Sequence, residues 1–213
     1  MLSRVIYGAR ISLVVVAVTL GVGLVIGVIA GLLAGWYGRW VDELMMRIVD
    51  IKLAIPTILL ALVLVLALGQ SFLIIVAILA IAVWPRFARN TRGEVLQLKT
   101  MDYVALAKVA GASTPRILFV HIFPGIVNTL IILASLEVGI VILLESTLSF
   151  LGAGVPPPTP AWGSMVADGR DRLAVAWWIS TMPGVAIMLV VLAMNLFGDW
   201  LRDKLDPRLR QLE

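Results

Sequence analysis

Apolar residues in this chain gather into runs of more than twenty, and the runs recur from one end to the other. A stretch of about 20 apolar residues matches the hydrocarbon thickness of a bilayer, and only helices and closed barrels satisfy their backbone groups there. Five such runs can be marked, at residues 11–36, 41–68, 72–90, 117–151 and 174–201. With 61% hydrophobic and 14% charged residues in 213, the composition departs from the soluble average of roughly 45–50% apolar and 25% charged. Disorder is excluded by the same numbers. The expectation is an all-α, polytopic transmembrane helical bundle in one domain, 1–213, with no room for a sizeable soluble domain.

Local signals subdivide the runs. The first third of the second run is polar, with Asp42, Glu43, Arg47, Asp50 and Lys52. Glu43/Arg47 at i,i+4 and Arg47/Asp50 at i,i+3 can pair on one helical face. Pro56 predicts a kink where the apolar part begins. The third run continues as an increasingly basic helix through Arg86, Arg89 and Arg92. Pro124 lies early in the fourth and Pro183-Gly184 inside the fifth. Residues 152–160, with Pro156, Pro157, Pro158 and Pro160, read as a non-helical loop. The segment 90–115 is the longest between runs.

Charge sets the orientation. Thirteen of the 17 Lys and Arg residues fall on one side of a five-span arrangement, leaving Arg4, Arg10, Arg170 and Arg172 on the other. Positive loops face the cytoplasm, which places 90–115 and the C-terminus inside and Met1 outside. The net charge of +4 therefore reports basic loops and a lipid bilayer, not nucleic acid. Cysteine is absent, which removes thiolate chemistry and Cys-based metal sites. The single His121 does not suggest a metal centre.

Three features stand out for function. Gly23, Gly27, Gly31 and Gly35 repeat every four residues and give the first helix a smooth face for close backbone approach. That face serves either static packing or a moving interface. Within 90–115, Thr100 can cap a short helix, Asp102 suits its first turn, and Gly111 takes the position after its end. Ser113 or Thr114 before Pro115 starts the next helix. The apolar surface of this short helix fits either a partner or the bilayer surface. Glu137 and Glu145 lie in the fourth run. They share a face about 12 Å apart, as interior hydrogen-bonding groups or along a translocation path, and Glu145 is near enough to the outer end to reach water. There is no GxxxxGK[ST] phosphate loop, so if transport is active its energy comes from a partner or from an ion gradient.

Residues 102–124, DYVALAKVAGASTPRILFVHIFP, resemble the EAA loop of ABC importer membrane subunits. That family has Glu-Ala-Ala, three residues, Gly, nine residues, then Ile-x-Leu-Pro. The triplet positions here are Ala105, Leu106 and Ala107, the Gly is Gly111, and His121-Ile122-Phe123-Pro124 ends the pattern. The spacing matches, while the Glu, the first Ala, the Ile and the Leu are replaced. Residues 2–13 (LSRVIYGARISL), 145–152 (ESTLSFLG), 156–163 (PPPTPAWG), 195–203 (NLFGDWLRD) and 205–210 (LDPRLR) are similar to the C-type membrane subunit of dipeptide and oligopeptide importers.

The resemblance implies a type I ABC importer permease fold and a non-enzymatic subunit without a cofactor of its own. It implies partners: two cytoplasmic ATPase subunits, a second and related permease, and an extracytoplasmic substrate-binding protein. The ATPase-coupling helix would comprise Asp102, Tyr103, Val104, Ala105, Leu106, Ala107, Lys108, Gly111, Ala112 and Ser113, packing through Tyr103, Val104, Leu106 and Ala107. The implied setting is the cytoplasmic membrane of a prokaryote. The implied cargo is di- or oligopeptide, with nickel chelates, glutathione or another small solute as the alternative on the same architecture. A proton-coupled secondary transporter using Glu137 or Glu145 is the alternative from another class. Subunits of this type carry a further first span, so Met1 is expected to fall inside the family pattern, in an N-terminally truncated or mis-started form of a six-span subunit.

Overall fold

A computed structural model describes residues 1–156 and 158–205. Pro157 of the proline-rich motif and residues 206–213, with Arg208, Arg210 and most of the LDPRLR motif, lie outside the described residues. Among the described residues every regular element is helical.

Helix α1 (Leu2–Tyr37) has 36 residues, about 54 Å at 1.5 Å per residue. It begins nine residues before the apolar run does. Arg4 and Arg10 end the hydropathy signal, yet arginine is a good helix former, so the helix runs on through them. Gly38, at φ 63°, ends it. Helices α2 (Arg39–Ala54) and α3 (Thr57–Leu68) follow, bent by 88° at the break between them. Pro56 has no N–H to continue α2 and forces Ile55 into extended backbone, φ −89° and ψ 124°.

Helix α4 (Phe72–Leu98) starts on Ser71, whose hydroxyl accepts from the Ile74 amide at 3.2 Å. It absorbs Pro85 and extends eight residues past the expected end at 90. The connecting segment is correspondingly shorter, and it carries α5 (Asp102–Val109). Helix α6 (Thr114–Phe150) contains a π-helical stretch at Ile117–Ile122. The wider turn comes just before Pro124, where an α-helical ladder would lack a donor and would clash with the carbonyl four residues back. Two short helices, α7 (Trp162–Arg170) and α8 (Leu173–Ala176), precede α9 (Trp178–Leu205), which holds Pro183 inside. Sequence periodicity did not separate α7, and the last long helix starts four residues after the expected 174. By length and composition, α1, α4, α6 and α9 are each apolar enough to cross a membrane, and the bent α2–α3 pair makes a fifth.

The centre of the bundle is the contact of α1 with α4, which run parallel. Gly23, Gly27, Gly31 and Gly35 face Val83, Phe87, Thr91 and Val95 in that order. Both helices thus use a four-residue step, and the pairs stay in register over three intervals. A Cβ on Gly27 would lie 2.6 Å from the Trp84 carbonyl oxygen, and one on Gly31 2.6 Å from that of Ala88. No Cβ fits there, because the obstacle is backbone. Val15, Leu79, Phe87, Ile122, Ile126 and Ile142, all buried, fill the layer where α6 closes over this pair.

Candidate functional site

Three clusters of functional interest lie at different levels of the bundle. The first is α5. Met101, not Thr100, occupies its N-cap, and Thr100 turns its hydroxyl back to the Gln97 carbonyl at 2.7 Å. Asp102 stands in the first turn and Lys108 in the last, each at the end its charge favours. Gly111 at φ 79° closes the helix. Its amide donates to Lys108 O at 3.0 Å, and the Ala112 amide donates to Ala107 O at 3.0 Å. These two bonds make a Schellman motif, which requires the left-handed backbone that glycine adopts freely.

The four apolar residues expected to act together on α5 separate onto two faces. Val104 and Ala107, three apart, are buried against the π-helical stretch of α6, while Tyr103 and Leu106 are exposed together with Val109. Two contacts fasten the segment to the end of α1. Lys99 Nζ donates to Gly35 O at 2.7 Å, and Lys108 Nζ sits 4.7 Å from the Trp36 ring centroid, within cation–π range. Ala105 is exposed and Ser113 makes no side-chain cap bond to the following helix.

The second cluster gathers charge around α4. Arg86 Nη1 donates to Glu137 Oε1 on α6 at 2.8 Å. Arg89 Nη2 donates to Asp50 on α2 at 2.6 Å. Arg92 holds Asp42 on α2 with two bonds, that from Nη2 measuring 2.6 Å. Lys52, 8% exposed, donates to Ala82 O at 2.8 Å and Thr57 Oγ1 at 3.3 Å. The expected Glu43–Arg47 pair forms at 3.4 Å between exposed side chains. The Arg47–Asp50 alternative does not form, because Asp50 faces α4 and takes Arg89.

The third cluster is built on Glu145, which is fully buried and does not reach water. Ser149 Oγ donates to its Oε1 at 2.8 Å and Ser12 Oγ to its Oε2 at 3.3 Å. The Ser12 hydroxyl accepts in turn from the Trp162 amide at 3.3 Å, while Trp162 Nε1 donates to Val5 O at 2.9 Å. Glu145 is enclosed because α7 folds back over α1 and α6 at this end. Gly163 permits the closure: a Cβ there would meet the backbone of Ser146. The segments 2–13, 145–152 and 156–163, far apart in sequence, thus meet at one carboxylate. Glu137, eight residues earlier, is 3% exposed, and its Oε2 has no hydrogen-bond partner among the described residues. His121 lies in the π-helical stretch, and no cluster of three or more potential metal ligands occurs among the described residues.

Residues 23–211 match the model of the family described as binding-protein-dependent transport system inner membrane component. The chain belongs to this family. It is 52% identical over 210 residues to the dipeptide transport system permease protein DppC of Escherichia coli (strain K12), covering 99% of this chain and 70% of that relative. It is 44% identical over 210 residues to the di/tripeptide transport system permease protein DppC of Pseudomonas aeruginosa (strain UCBPP-PA14), covering 99% and 69%. The glutathione transport system permease protein GsiD of Salmonella paratyphi A (strain ATCC 9150 / SARB42) is 47% identical over 210 residues, covering 98% and 69%. A solved structure of the MetNI methionine ABC transporter in an inward-facing conformation aligns with TM-score 0.75 at 19% identity, covering 95% of this chain and 96% of that one. At that identity the likeness establishes the type I permease fold alone.

As an inner membrane component, this chain is a multi-pass membrane protein, and Arg86, Arg89 and Arg92 of α4 pair with carboxylates on neighbouring helices. The glycines at 23, 27, 31 and 35 are brought together along one contact. Glu137 and Glu145 are not brought into one site: the first pairs with Arg86, the second with two serines. Sequence reasoning missed Arg86 as the partner of Glu137, and Ser12 and Trp162 as parts of the Glu145 cluster. For Arg86 a signal existed, since an arginine just after Pro85 in an apolar helix needs an anionic or aqueous neighbour.

Proposed function

We propose that this chain is the permease subunit of an ATP-driven importer that carries di- and oligopeptides across the cytoplasmic membrane. The single observation that carries the cargo is 52% identity, over 99% of this chain, to a dipeptide transport permease. The chain has no nucleotide-binding loop, and ATP is hydrolysed by two cytoplasmic ATPase subunits. A second, related permease completes the membrane pathway, and an extracytoplasmic binding protein delivers the peptide. The basic end of the bundle is cytoplasmic by the positive-inside rule, so α5 and the C-terminus lie inside.

Helix α5 supplies the coupling. Its Val104/Ala107 face is fixed to the bundle, and its exposed Tyr103, Leu106 and Val109 enter a cleft on the ATPase. Closure of the two ATPases draws the coupling helices together, and the membrane pair turns from inward-facing to outward-facing as rigid bodies. Glu145 holds the outer end of α1, α6 and α7 in one piece.

The test is uptake into proteoliposomes holding this chain with its ATPases, sister permease and binding protein. Dipeptide accumulation that requires ATP and the binding protein is the expected result. Accumulation without ATP, driven by a proton gradient, would overturn the reading. Glutathione uptake in place of dipeptide would keep the architecture and replace the cargo, a second reading favoured by the 47% identity to a glutathione permease.

A further inference from the structure

Beyond coupling, the structure holds one open cleft that mixes charge with apolar surface. It has a volume of about 560 Å³ and lies between α4, α6 and α9, at the end of the bundle where α4 and α9 finish. In the orientation proposed above this end is cytoplasmic. The walls carry Asn90 and Glu94 of α4, Asn128 and Thr129 of α6, and Arg202 of α9, and the floor is Ile132, Leu133 and Leu136 of α6. The volume falls in the range of about 300–1,000 Å³ found for small-molecule sites. Of the four long helices α9 is the least buried, so the cleft sits at the edge of the bundle, beside lipid.

Contacts between the helices fix the order of these groups along the bundle. Helix α6 runs antiparallel to both of its neighbours. Toward α4, Glu137 meets Arg86, and the Thr129 hydroxyl donates to Glu94 Oε1 at 3.2 Å. Toward α9, Gly139 faces Val191 and Asn195, and Gly198 faces Ser135 and Leu136. Continuing these registers puts Asn90 level with Leu133 and Arg202 level with Ile132. Glu94 and Asn128 lie one turn, about 5.4 Å, nearer the end of the bundle, and Leu136 lies about one turn deeper. From the bilayer interior outward, the cleft is therefore apolar, then cationic with an amide beside it, then anionic.

A phospholipid with a primary ammonium has its groups in the same order: acyl chains, a phosphate, and an ammonium two carbons further out. A guanidinium takes a phosphate with two parallel N–H bonds. The Asn90 amide donates to Arg86 O at 2.9 Å and keeps a second N–H for the same phosphate. Glu94 accepts the Thr129 hydroxyl and retains acceptor positions for an ammonium. Basic pockets between spanning helices on the cytoplasmic side bind lipid headgroups, and the added carboxylate here narrows the choice to a headgroup that also carries a cation. We propose that this cleft binds an aminophospholipid, with its phosphate on Arg202, its ammonium on Glu94 and an acyl chain along Leu133 and Leu136. The assignment to the cytoplasmic leaflet rests on the orientation above; the binding itself does not depend on the cargo.

The experiment uses the permease–ATPase complex in nanodiscs holding equal amounts of dioleoyl phosphatidylethanolamine, phosphatidylcholine and phosphatidylglycerol. Native mass spectrometry reads which lipid stays on the released complex. Phosphatidylethanolamine is retained about tenfold more strongly than phosphatidylcholine, whose ammonium has no N–H, and than phosphatidylglycerol, which has no cation. Arg202→Gln lowers its retention about tenfold. Glu94→Gln removes the preference over the other two lipids, and is read alone if Arg202→Gln does not assemble. Arg47→Gln, which changes an exposed charge on α2, leaves all three lipids unchanged. Equal retention of the three lipids, an intact preference in Glu94→Gln, or unchanged retention in Arg202→Gln overturns the proposal. So does displacement of the lipid by millimolar trialanine, which assigns the cleft to peptide instead. The two leaflets of a nanodisc are alike, so the result is independent of orientation. Failed dipeptide uptake by the complete system removes the import reading and leaves the site, whereas failed retention removes only the site.

Discussion

Arg86 and Glu137 meet across the boundary between α4 and α6, with Nη1 2.8 Å from Oε1 and the carboxylate 3% exposed. The pair joins two helices that are each long enough to cross the membrane. Because the carboxylate is enclosed and the guanidinium is half open, the two members are unequal: removing the arginine strands a charge, whereas removing both strands none.

Arg86→Ala is therefore expected to destabilise the subunit by about 3 kcal/mol, the lower end of the range for breaking a buried pair. Replacing both residues by Met should recover most of that loss. Thermal unfolding of the purified complex, arranged as a double-mutant cycle, checks this. Additive effects of the single changes would show that the pair is uncoupled.

Gly31→Val places a side chain against the Ala88 carbonyl and Thr91, where a Cβ alone would stand 2.6 Å and 2.5 Å away. Overpacking of this kind costs about 2 kcal/mol or more, and here α1 and α4 must separate. Gly21→Ala is the control, since nothing lies within 4 Å of its Cβ; it should be neutral or slightly stabilising. Membrane abundance and the unfolding midpoint distinguish the two variants.

On α5, Leu106→Asp changes a side chain that is 67% exposed. It should leave the unfolding midpoint unchanged while lowering peptide uptake and binding-protein-stimulated ATPase activity at least tenfold. Val104→Asp puts a carboxylate where exposure is 0% and should lower stability by several kcal/mol. Gly111→Val strains a residue at φ 79° by about 1–2 kcal/mol and should fray α5 without unfolding the bundle. If Leu106→Asp leaves uptake and ATPase stimulation intact, α5 does not couple.

Glu145→Ala leaves the Ser12 and Ser149 hydroxyls without their acceptor. A cost of about 1–3 kcal/mol is expected for buried groups left unsatisfied. The effect should concentrate on α7, because the Trp162 amide bonds to Ser12. Hydrogen exchange at Trp162 and the residues after it should quicken at least tenfold, with little change at α4. Uniform acceleration across the chain would argue against this local role.

Local chemistry made several elements legible in the sequence. Pro56 marked the break of α2 from α3 because proline acts on its own backbone and on the residue before it. Gly111 marked the end of α5 for the same kind of reason, and the four-residue glycine repeat marked a contact face. What the sequence did not disclose is pairing between helices. Asp50 had a nearby candidate partner in Arg47 on α2 itself, yet it turns to Arg89 on α4, and nothing local distinguishes the two choices. Thr100 was readable as a cap but bonds backward to Gln97, since both geometries suit a hydroxyl before a helix. The enclosure of Glu145 depends on α7 folding over the bundle, a tertiary event set by Trp162 and Gly163 more than 15 residues away.

The glycine contact has a mechanical consequence. With almost no side-chain layer between them, α1 and α4 bend and tilt as one thick beam. Lys99 and Lys108 clamp α5 to one end of that beam, at Gly35 and Trp36, and Ser12 anchors the other end about 35 Å away. A load applied to α5 therefore arrives at the Glu145 cluster with little lost to compression on the way. On the proposed coupling through α5, stiffness along that line sets how much of each ATPase stroke reaches the opposite end of the bundle.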